Sequence, residues 1–380
     1  MRMNKFRMWL NCGIRLTTII AAVALTAVNG RPAQTSGELD PNYFNGKTFR
    51  IVINYEPGSS ADLFGRMIAK HLAKFLPGNP RMLVVNRSGA SGTVGANYLY
   101  TARGDGLTIG MFSALYPSNQ ITFPDVQFNM LKFRPLASIQ GRNQLWFIRG
   151  AAPYDRIQKA VGQGSAGGPR FTYAEEALCG ANSVREKLVQ EWLDLPMDIK
   201  YGLPGGRRAA MQQLERGDID SVQQSMWYTL PKDRPGWLKN GFLKVFANAS
   251  PPGAGDFQDN RETAFPKDVK PVYELLKTEE QKRQYVLLSL DSLGPFHRTI
   301  YAPPGTPGNV LKVLRKSIWD MLHDQTFTAE IERLRGADPL DIRSGEKMEE
   351  IIKTALGKVQ ELKAIMQKHA PNCPFNDKFK

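Results

Sequence analysis

Cysteine and histidine are scarce in this chain, with 3 cysteines and 4 histidines among 380 residues. No two histidines stand at metal-ligand spacing with a cysteine, since they are scattered at His71, His297, His323 and His369. We therefore expect no metal site. Cysteines this few also exclude a fold that depends on a disulfide framework. Cys179 and Cys373 could form one bridge, and the sequence leaves open whether they do.

Long apolar runs are missing as well. The uncharged run 16–28 near the N-terminus has 13 residues, which is too short to cross a bilayer. The first 30 residues contain four basic residues and no acid, a pattern typical of a secretory signal peptide. We predict removal of residues 1–30 and export from the cytoplasm, with an N-terminal membrane anchor as the alternative.

The basic charge is not gathered into a patch. The formal net charge is +14, yet lysine and arginine occur mostly singly, and no basic run reaches the length of a nucleic-acid patch. The sequence also lacks a motif of aromatic residues interleaved with basic ones, the kind of motif that binds single-stranded nucleic acid. The sequence therefore predicts no nucleic-acid partner and an attraction for small anions.

The patterns of catalytic and cofactor sites are also missing. No Gly-x-Ser-x-Gly elbow is present, and no histidine can be assigned as the base of a serine nucleophile. The segment 162–167 reads GQGSAG, but it precedes a predicted strand instead of following one, so the context of a dinucleotide site is absent. We expect no catalytic residue and no cofactor.

Strands and helices alternate along the chain, which predicts an α/β fold with parallel sheets. The helix 62–75 has apolar residues at helical spacing. Further helices are predicted at 95–102, 184–193 and 207–216. The predicted strands are 49–54, 82–85, 108–112, 136–139, 145–148, 170–174, 198–201 and 221–225.

Three helices begin directly after strands and turn residues. The first follows Pro57-Gly58-Ser59-Ser60, so the backbone N–H groups at its start form an anion-binding geometry above the sheet edge. At the second, Ser183 is the predicted N-cap, with Glu186 as its capping-box partner. The third follows the turn Gly205-Gly206 and begins at Arg207.

Three motifs in the first part of the chain follow one another in a fixed order. Their residues are Pro57, Gly58, Asp62 and Arg66, then Asn86, Gly89, Ala90, Gly92, Gly95, Ala96 and Asn97, then Asp105, Gly106 and Thr108. Later segments LERGDIDS at 214–221 and YAPPGTPG at 301–308 continue the pattern. With these motifs the chain resembles, over about residues 46 to 365, the substrate-binding receptors of tripartite tricarboxylate transporters, the Bug-type periplasmic binding proteins.

The resemblance implies a two-lobed periplasmic binding protein of type II-like architecture, with a ligand cleft between the lobes. Lobe 1 would comprise 46–147 and about 296–380, and lobe 2 would comprise 148–295. Such a protein would capture a small organic acid as a monomer and deliver it to the permease subunits in the membrane, without chemistry. A receptor that feeds a membrane signalling partner is the alternative, and a secreted enzyme is a weaker one.

The resemblance also places the three helix starts around the cleft. The implied ligand-binding residues are Tyr55, Glu56, Pro57, Gly58, Ser59, Ser60, Asp62, Ser113, Cys179, Gly180, Asn182, Ser183, Gly205, Gly206 and Arg207. Ser60 and Ser183 could instead only cap their helices, and Asp62 is expected to bond the loop amides or the helix start.

The chain departs from the family pattern at positions near the implied site, and these departures bear on the identity of the ligand. Glu56 replaces a usually neutral residue, Ser59 replaces a second glycine, and the second-lobe loop begins with Glu175 and Glu176. A carboxylate beside an anion site repels the anion unless it faces solvent or is paired. These acids either face solvent or contact a positive or hydroxyl group of the ligand, so a simple di- or tricarboxylate is not assured.

Overall fold

A computed structural model describes residues 37–113, 115–140, 144–175, 178–202, 206–224, 230, 234–251, 268–289, 296–335, 341–376 and 378. The chain divides into two units, residues 1–33 and 34–380, and all described residues lie in the second. The predicted signal segment 1–30 lies outside the described residues, so its removal stays a prediction.

Two separate sheets organise the described part of the chain. The first has six strands in the order β11-β4-β10-β3-β1-β2. Its strands are β1 (Thr48–Ile53), β2 (Arg81–Asn86), β3 (Thr108–Ser113), β4 (Arg134–Gln140), β10 (Arg298–Ala302) and β11 (Asp341–Ser344). Strand β1 pairs in parallel with β2 and β3, whereas β10 is antiparallel to β3 and β4.

The second sheet has five strands in the order β7-β6-β8-β5-β9. They are β5 (Leu145–Arg149), β6 (Phe171–Glu175), β7 (Met197–Tyr201), β8 (Ser221–Gln224) and β9 (Leu243–Asn248). Strand β6 is parallel to β7 and β8, so the loops after these strands leave from one edge, and β5 runs antiparallel to β8 and β9.

Helices connect the strands and cover both sheets. They are α1 (Ser60–Leu72), α2 (Thr93–Tyr100), α3 (Asn119–Thr122), α4 (Ile157–Ala160), α5 (Ala181–Leu193), α6 (Gly206–Arg216), α7 (Val272–Leu275), α8 (Glu279–Leu288), α9 (Gly308–Leu322), α10 (Gln325–Arg335), α11 (Gly345–Gly357) and α12 (Val359–His369). The predicted succession of strands and helices, and with it the α/β class, is confirmed. The expectation of parallel sheets is wrong, because both sheets are mixed: β10 is antiparallel to β3 and β4, β11 to β4, and β5 to β8 and β9.

The first sheet is covered on both faces. All six residues of β3 are buried, as expected for a central strand between two helical layers. On one face the sheet packs with α1, α9 and α10 through residues such as Phe64, Leu314 and Phe327. On the other face Leu99 of α2 and Ile352 of α11 close a second cluster. The loops that follow β1 and β3 therefore leave from a sheet that is packed on both faces.

The C-terminal helix α12 packs beside helices of the second sheet. Leu362 and Met366 share a buried cluster with Leu188 of α5 and Leu288 of α8. Ile121 of α3, which follows β3, joins the same cluster. The loop after the first sheet's central strand thereby meets α5. The boundaries 46–147, 296–380 and 148–295 of the two lobes stay predictions.

Candidate ligand-binding site

The loop after β1 makes a tight turn into α1. The Ser59 N–H donates to the Glu56 carbonyl over 3.1 Å, and Gly58 has a φ of +79°, a conformation that favours glycine. Ser59 is the N-cap, because its hydroxyl accepts from the Asp62 N–H over 3.2 Å. The cap is therefore Ser59, whereas Ser60, for which the sequence suggested that role, is the first residue of the helix.

The Asp62 carboxylate stabilises this turn through hydrogen bonds. Its Oδ2 accepts from the Gly58 N–H over 2.9 Å and from Arg66 Nε over 2.9 Å, while Oδ1 accepts from Asn86 Nδ2 over 2.9 Å. Burial alone would raise the pKa of Asp62, but the hydrogen bonds from Arg66, Gly58 and Asn86 outweigh it and lower the pKa. The structural role expected for Asp62 is confirmed.

These bonds decide which backbone donors remain for a ligand. The N–H groups of Gly58 and Ser59 are used within the turn, and that of Asp62 is used by the cap. Within the described part of the chain, the N–H groups of Ser60 and Ala61 have no acceptor. The backbone donors that α1 leaves open to an anion are therefore those of Ser60 and Ala61, and the sequence analysis missed Ala61.

A buried arginine lies beside the same helix start. Arg298, at the first position of β10, is 4% exposed and donates from Nη2 to the Ser60 hydroxyl over 3.2 Å. Its guanidinium lies over the Phe64 ring, 4.0 Å from the ring centroid. Sequence reasoning missed Arg298 because only strand pairing across about 200 residues brings it to the first loop, next to Ser113.

Ser113 ends β3 beside the turn. Its N–H donates to Asn54 Oδ1 over 3.0 Å, and its carbonyl accepts from Asn54 Nδ2 over 2.9 Å. The glycine-rich segment 89–95 packs on the same Asn54, because a Cβ at Gly92 would lie 2.3 Å from its amide nitrogen. That segment is therefore a structural turn. Ser113 itself is mostly buried, and contact with a ligand stays a prediction.

The helix start in the second sheet is built differently. Helix α5 begins at Ala181 with Gly180 as an N-cap that makes no side-chain capping bond. The predicted capping box of Ser183 and Glu186 is therefore wrong. Ser183 lies inside the helix and is 2% exposed, and Glu186 bonds Arg185 instead of the helix start. Asn182, also on this first turn, is half-buried.

Cys179 and Cys373 form a disulfide, which settles the pairing that the sequence left open. Their Cα atoms are 5.4 Å apart and 194 positions apart in sequence. Close to Cys373, the Asn376 N–H donates to the Ile121 carbonyl over 2.8 Å. The C-terminal segment thereby joins the loop before α5 to the segment that follows β3.

A buried ion pair lies one turn below the start of α5. Arg185 is 0% and Glu186 1% exposed, and Arg185 Nη2 donates to Glu186 Oε1 over 2.6 Å. Burial lowers the pKa of Arg185, but the charge and hydrogen bond of Glu186, together with Tyr285 and Tyr173, outweigh burial, so the pKa is raised and the guanidinium stays charged. Burial raises the pKa of Glu186, and Arg185 offsets only part of that rise.

The remaining predicted residues differ in what the structure shows. Tyr55 and Ser59 are half-buried, whereas Glu56, Pro57 and Gly58 are exposed. Gly206 begins α6 and Arg207 follows it in the helix, but the position of the Arg207 side chain lies outside the description. Gly205 and Glu176 lie outside the described residues. Glu175 accepts from the Tyr173 hydroxyl over 3.2 Å.

The described residues contain no group of three or more histidine, cysteine, aspartate or glutamate side chains able to hold a metal ion. None of the helices that the structure describes is long and apolar enough to span a membrane. What the described loops offer is a set of hydrogen-bond donors at two helix starts, with Arg298 next to the first.

The family model of the tripartite tricarboxylate transporter family receptor matches residues 64–369 of the chain. A Cupriavidus necator protein, described as a UPF0065 protein in the gbd 5' region, is 23% identical over 236 residues. That match covers 60% of this chain and 66% of the relative, just under two thirds of its length.

Solved structures share the fold. MatC from Rhodopseudomonas palustris with bound malate has a TM-score of 0.57 and 18% identity, and the match covers 83% of this chain and 99% of that one. An R. palustris protein with adipate has a TM-score of 0.58 and 16% identity, covering 84% and 97%. At such identities the likeness shows the fold, which is that of two-lobed solute-binding proteins.

Proposed function

The chain belongs to the tripartite tricarboxylate transporter receptor family, and we propose that it captures a small organic acid through at least one carboxylate and delivers it to the permease of such a transporter. The family consists of solute-binding receptors. We further propose that this protein is exported by its N-terminal segment, acts as a monomer in the periplasm and catalyses no reaction.

The start of α1 carries this proposal. The N–H groups of Ser60 and Ala61 have no acceptor among the described residues, and the dipole of α1 favours an anion there. Arg298, bonded to the Ser60 hydroxyl, adds positive charge at 4% exposure. A carboxylate at this point would accept hydrogen bonds in a partly desolvated environment, where they are stronger than in water.

The ligands of two neighbours support a carboxylate. The structures with malate and with adipate both hold dicarboxylic acids in the same fold. The second acid group of such a ligand would need donors from the other lobe, for which α5 and its surroundings are the candidates. We therefore propose a dicarboxylate or a close analogue as the ligand of this chain.

A thermal-shift screen of dicarboxylates, aromatic acids and amino acids, followed by calorimetric titration, tests the proposal. We expect at least one acid to bind with a dissociation constant of about 1 μM or less, which corresponds to about 8 kcal/mol. Small-angle scattering should show a more compact protein with the ligand bound. Binding of nucleic acid at physiological salt, with no acid bound, would overturn the proposal.

The variant Arg298→Gln measures how much the buried cation contributes to the affinity for the acid. We expect affinity for the acid to fall by about tenfold, because a charge-assisted hydrogen bond is lost in a desolvated place. Arg50→Gln is the matched control, since Arg50 lies exposed on β1 of the same sheet and loses the same charge. Equal affinities in both variants would exclude Arg298 from the site.

Mass spectrometry of the protein from its native host tests the location. The expected product lacks about the first 30 residues. An intact Met1 on a protein recovered from the cytoplasm would contradict the periplasmic location.

A further inference from the structure

Two glutamines meet the buried Arg185 at the edge of the second sheet. Gln223 Oε1 accepts from Arg185 Nη2 over 2.9 Å, and Gln144 Oε1 accepts from the same nitrogen over 3.3 Å. Gln223 Nε2 also donates to Gln144 Oε1. Both glutamines are half-buried, whereas the guanidinium between them and α8 is fully buried.

The chemistry of Arg185 fixes how these two amides are turned. A guanidinium has five N–H donors and no acceptor, so each glutamine must present its oxygen to it. The amide nitrogens then point elsewhere. One side-chain N–H of Gln223 donates to Gln144, whereas the side-chain nitrogen Nε2 of Gln144 has no acceptor within the described residues. Among the residues that the structure describes, three side-chain N–H groups of the pair therefore have no acceptor.

The pair lies at the sheet edge from which the second-lobe loops leave. Gln223 is the third residue of β8, paired opposite Trp146, and Gln144 immediately precedes β5. Strand β8 runs parallel to β6, whose end leads to the disulfide loop and the start of α5. The two amides therefore stand at the same edge as the predicted second-lobe binding loop.

We propose that Gln144 and Gln223 bind a carboxylate of the ligand from the second lobe, and that Arg185 is the positioning residue that turns their amide nitrogens toward it. This inference rests on the proposed function and names the second-lobe contact of that site. Glu186 balances the charge of Arg185, so this end of the site selects by the direction of hydrogen bonds and not by net charge.

The difference between the two ends of the site follows from this assignment. At α1, Arg298 places a cation directly beside the donors. At the second sheet the cation is 0% exposed and acts only through the two amides. A ligand with a carboxylate at one end and an acceptor such as a carboxylate or carbonyl at the other would fit both ends.

Gln223→Glu and Gln144→Glu test the assignment with little change of shape. In either variant the introduced carboxylate still accepts from Arg185, so both should fold, which circular dichroism and the melting temperature check. A carboxylate at position 223 would also draw the side-chain nitrogen of Gln144 toward itself and away from the ligand. Gln223→Glu should therefore lower the affinity for the acid more than Gln144→Glu does. We expect its affinity for adipate or malate to fall about tenfold or more, because donors are replaced by a repelling charge.

Monoamides of the same acids distinguish binding from mere structural damage. In the wild type the diacid should bind better than its monoamide. In Gln223→Glu this preference should shrink or reverse, since the amide of the ligand can donate to the introduced carboxylate. Gln212→Glu is the matched control, because Gln212 lies exposed on α6 and gains the same charge. Equal loss for diacid and monoamide would overturn the assignment.

Arg185→Lys tests the positioning role. Lysine keeps the charge but offers no planar fork, so the two amides should lose their fixed orientation and the diacid preference should weaken while the fold persists. If the wild type binds an acid and all of these variants bind it within about twofold, only this inference fails. If the wild type binds no acid of the panel, the proposed function fails, and this inference with it.

Discussion

The starts of α1 and α5 place backbone donors at two sheet edges, but different forces hold them. The first is held by an exposed hydrogen-bonded turn, with Ser59 as cap and Asp62 beneath Gly58. The second has no side-chain cap and is held by the disulfide of Cys179 and the buried pair below it. The comparison shows that one backbone geometry can rest on reversible polar contacts or on covalent and buried ionic ones.

This difference has a consequence for how each loop responds to its surroundings. Contacts of Asp62 depend on its charge, so acid should weaken the first turn. The second start should respond to a reductant and to substitutions that leave a charge unpaired in the interior. The same perturbation should therefore rarely affect both loops equally.

The largest effect is expected from Glu186→Ala. It leaves the fully buried Arg185 without its counter-charge, and breaking a buried pair costs about 3 to 5 kcal/mol in the free energy of unfolding. Urea denaturation measures the loss. Asp320→Ala, which removes the exposed pair of Lys316 and Asp320, is the control and should change stability by less than about 1 kcal/mol. Equal effects would contradict a buried charged pair.

Loss of the disulfide should come next. The double variant Cys179→Ser and Cys373→Ser should lower the free energy of unfolding by about 2 to 4 kcal/mol, because the bridge restricts the unfolded chain. Limited proteolysis should then cut the C-terminal segment after α12 faster. The wild type treated with a reductant is the control and should lose the same stability. An unchanged denaturation curve for the double variant would show that other contacts hold this segment.

Sequence reasoning predicted the local features of both regions and missed the tertiary ones. The apolar spacing of α1 and the alternation of strands suffice for the fold, because they follow from local burial patterns. Arg298 and the Cys373 partner were not assigned because distant segments bring them in place. The buried pair of Arg185 and Glu186 was missed because adjacent charges in a sequence usually face solvent.

The capping box shows the same limit in one motif. Ser183 and Glu186 have the spacing that normally closes a helix start, but the helix begins earlier, at Ala181. The carboxylate that would have bonded the cap bonds the buried guanidinium instead. Glu186 thus pairs with the buried Arg185 and not with the helix start, and the sequence around these residues did not indicate that Arg185 is buried.

The first turn should weaken in acid. The pKa of Asp62 is lower in the folded protein, so its contribution is complete above the unfolded-state pKa, about 3.9, and disappears as the pH falls through the lower folded value. Asp62→Asn should cost about 1 to 2 kcal/mol at pH 7. The difference from the wild type should shrink below about pH 4 in urea denaturation. A constant difference down to the lowest pH would contradict the linkage.

The smallest effect is expected from Glu56→Ala, at the sharpest departure from the family pattern. Glu56 is exposed, and its carbonyl, not its carboxylate, accepts the bond that closes the turn. Its negative charge next to the donors of Ser60 and Ala61 should therefore only repel an acid. Removing the charge should tighten acid binding by about twofold at low salt, and the gain should fade at about 0.5 M salt because screening already weakens the repulsion.

Calorimetric titration at both salt concentrations measures the affinity for the acid. Glu38→Ala, at an exposed position before β1, is the control, because it removes the same charge away from the first loop. An affinity about tenfold weaker at both salt concentrations would instead mean that Glu56 contacts a hydrogen-bond donor of the ligand. The first loop would then bind that donor as well as a carboxylate.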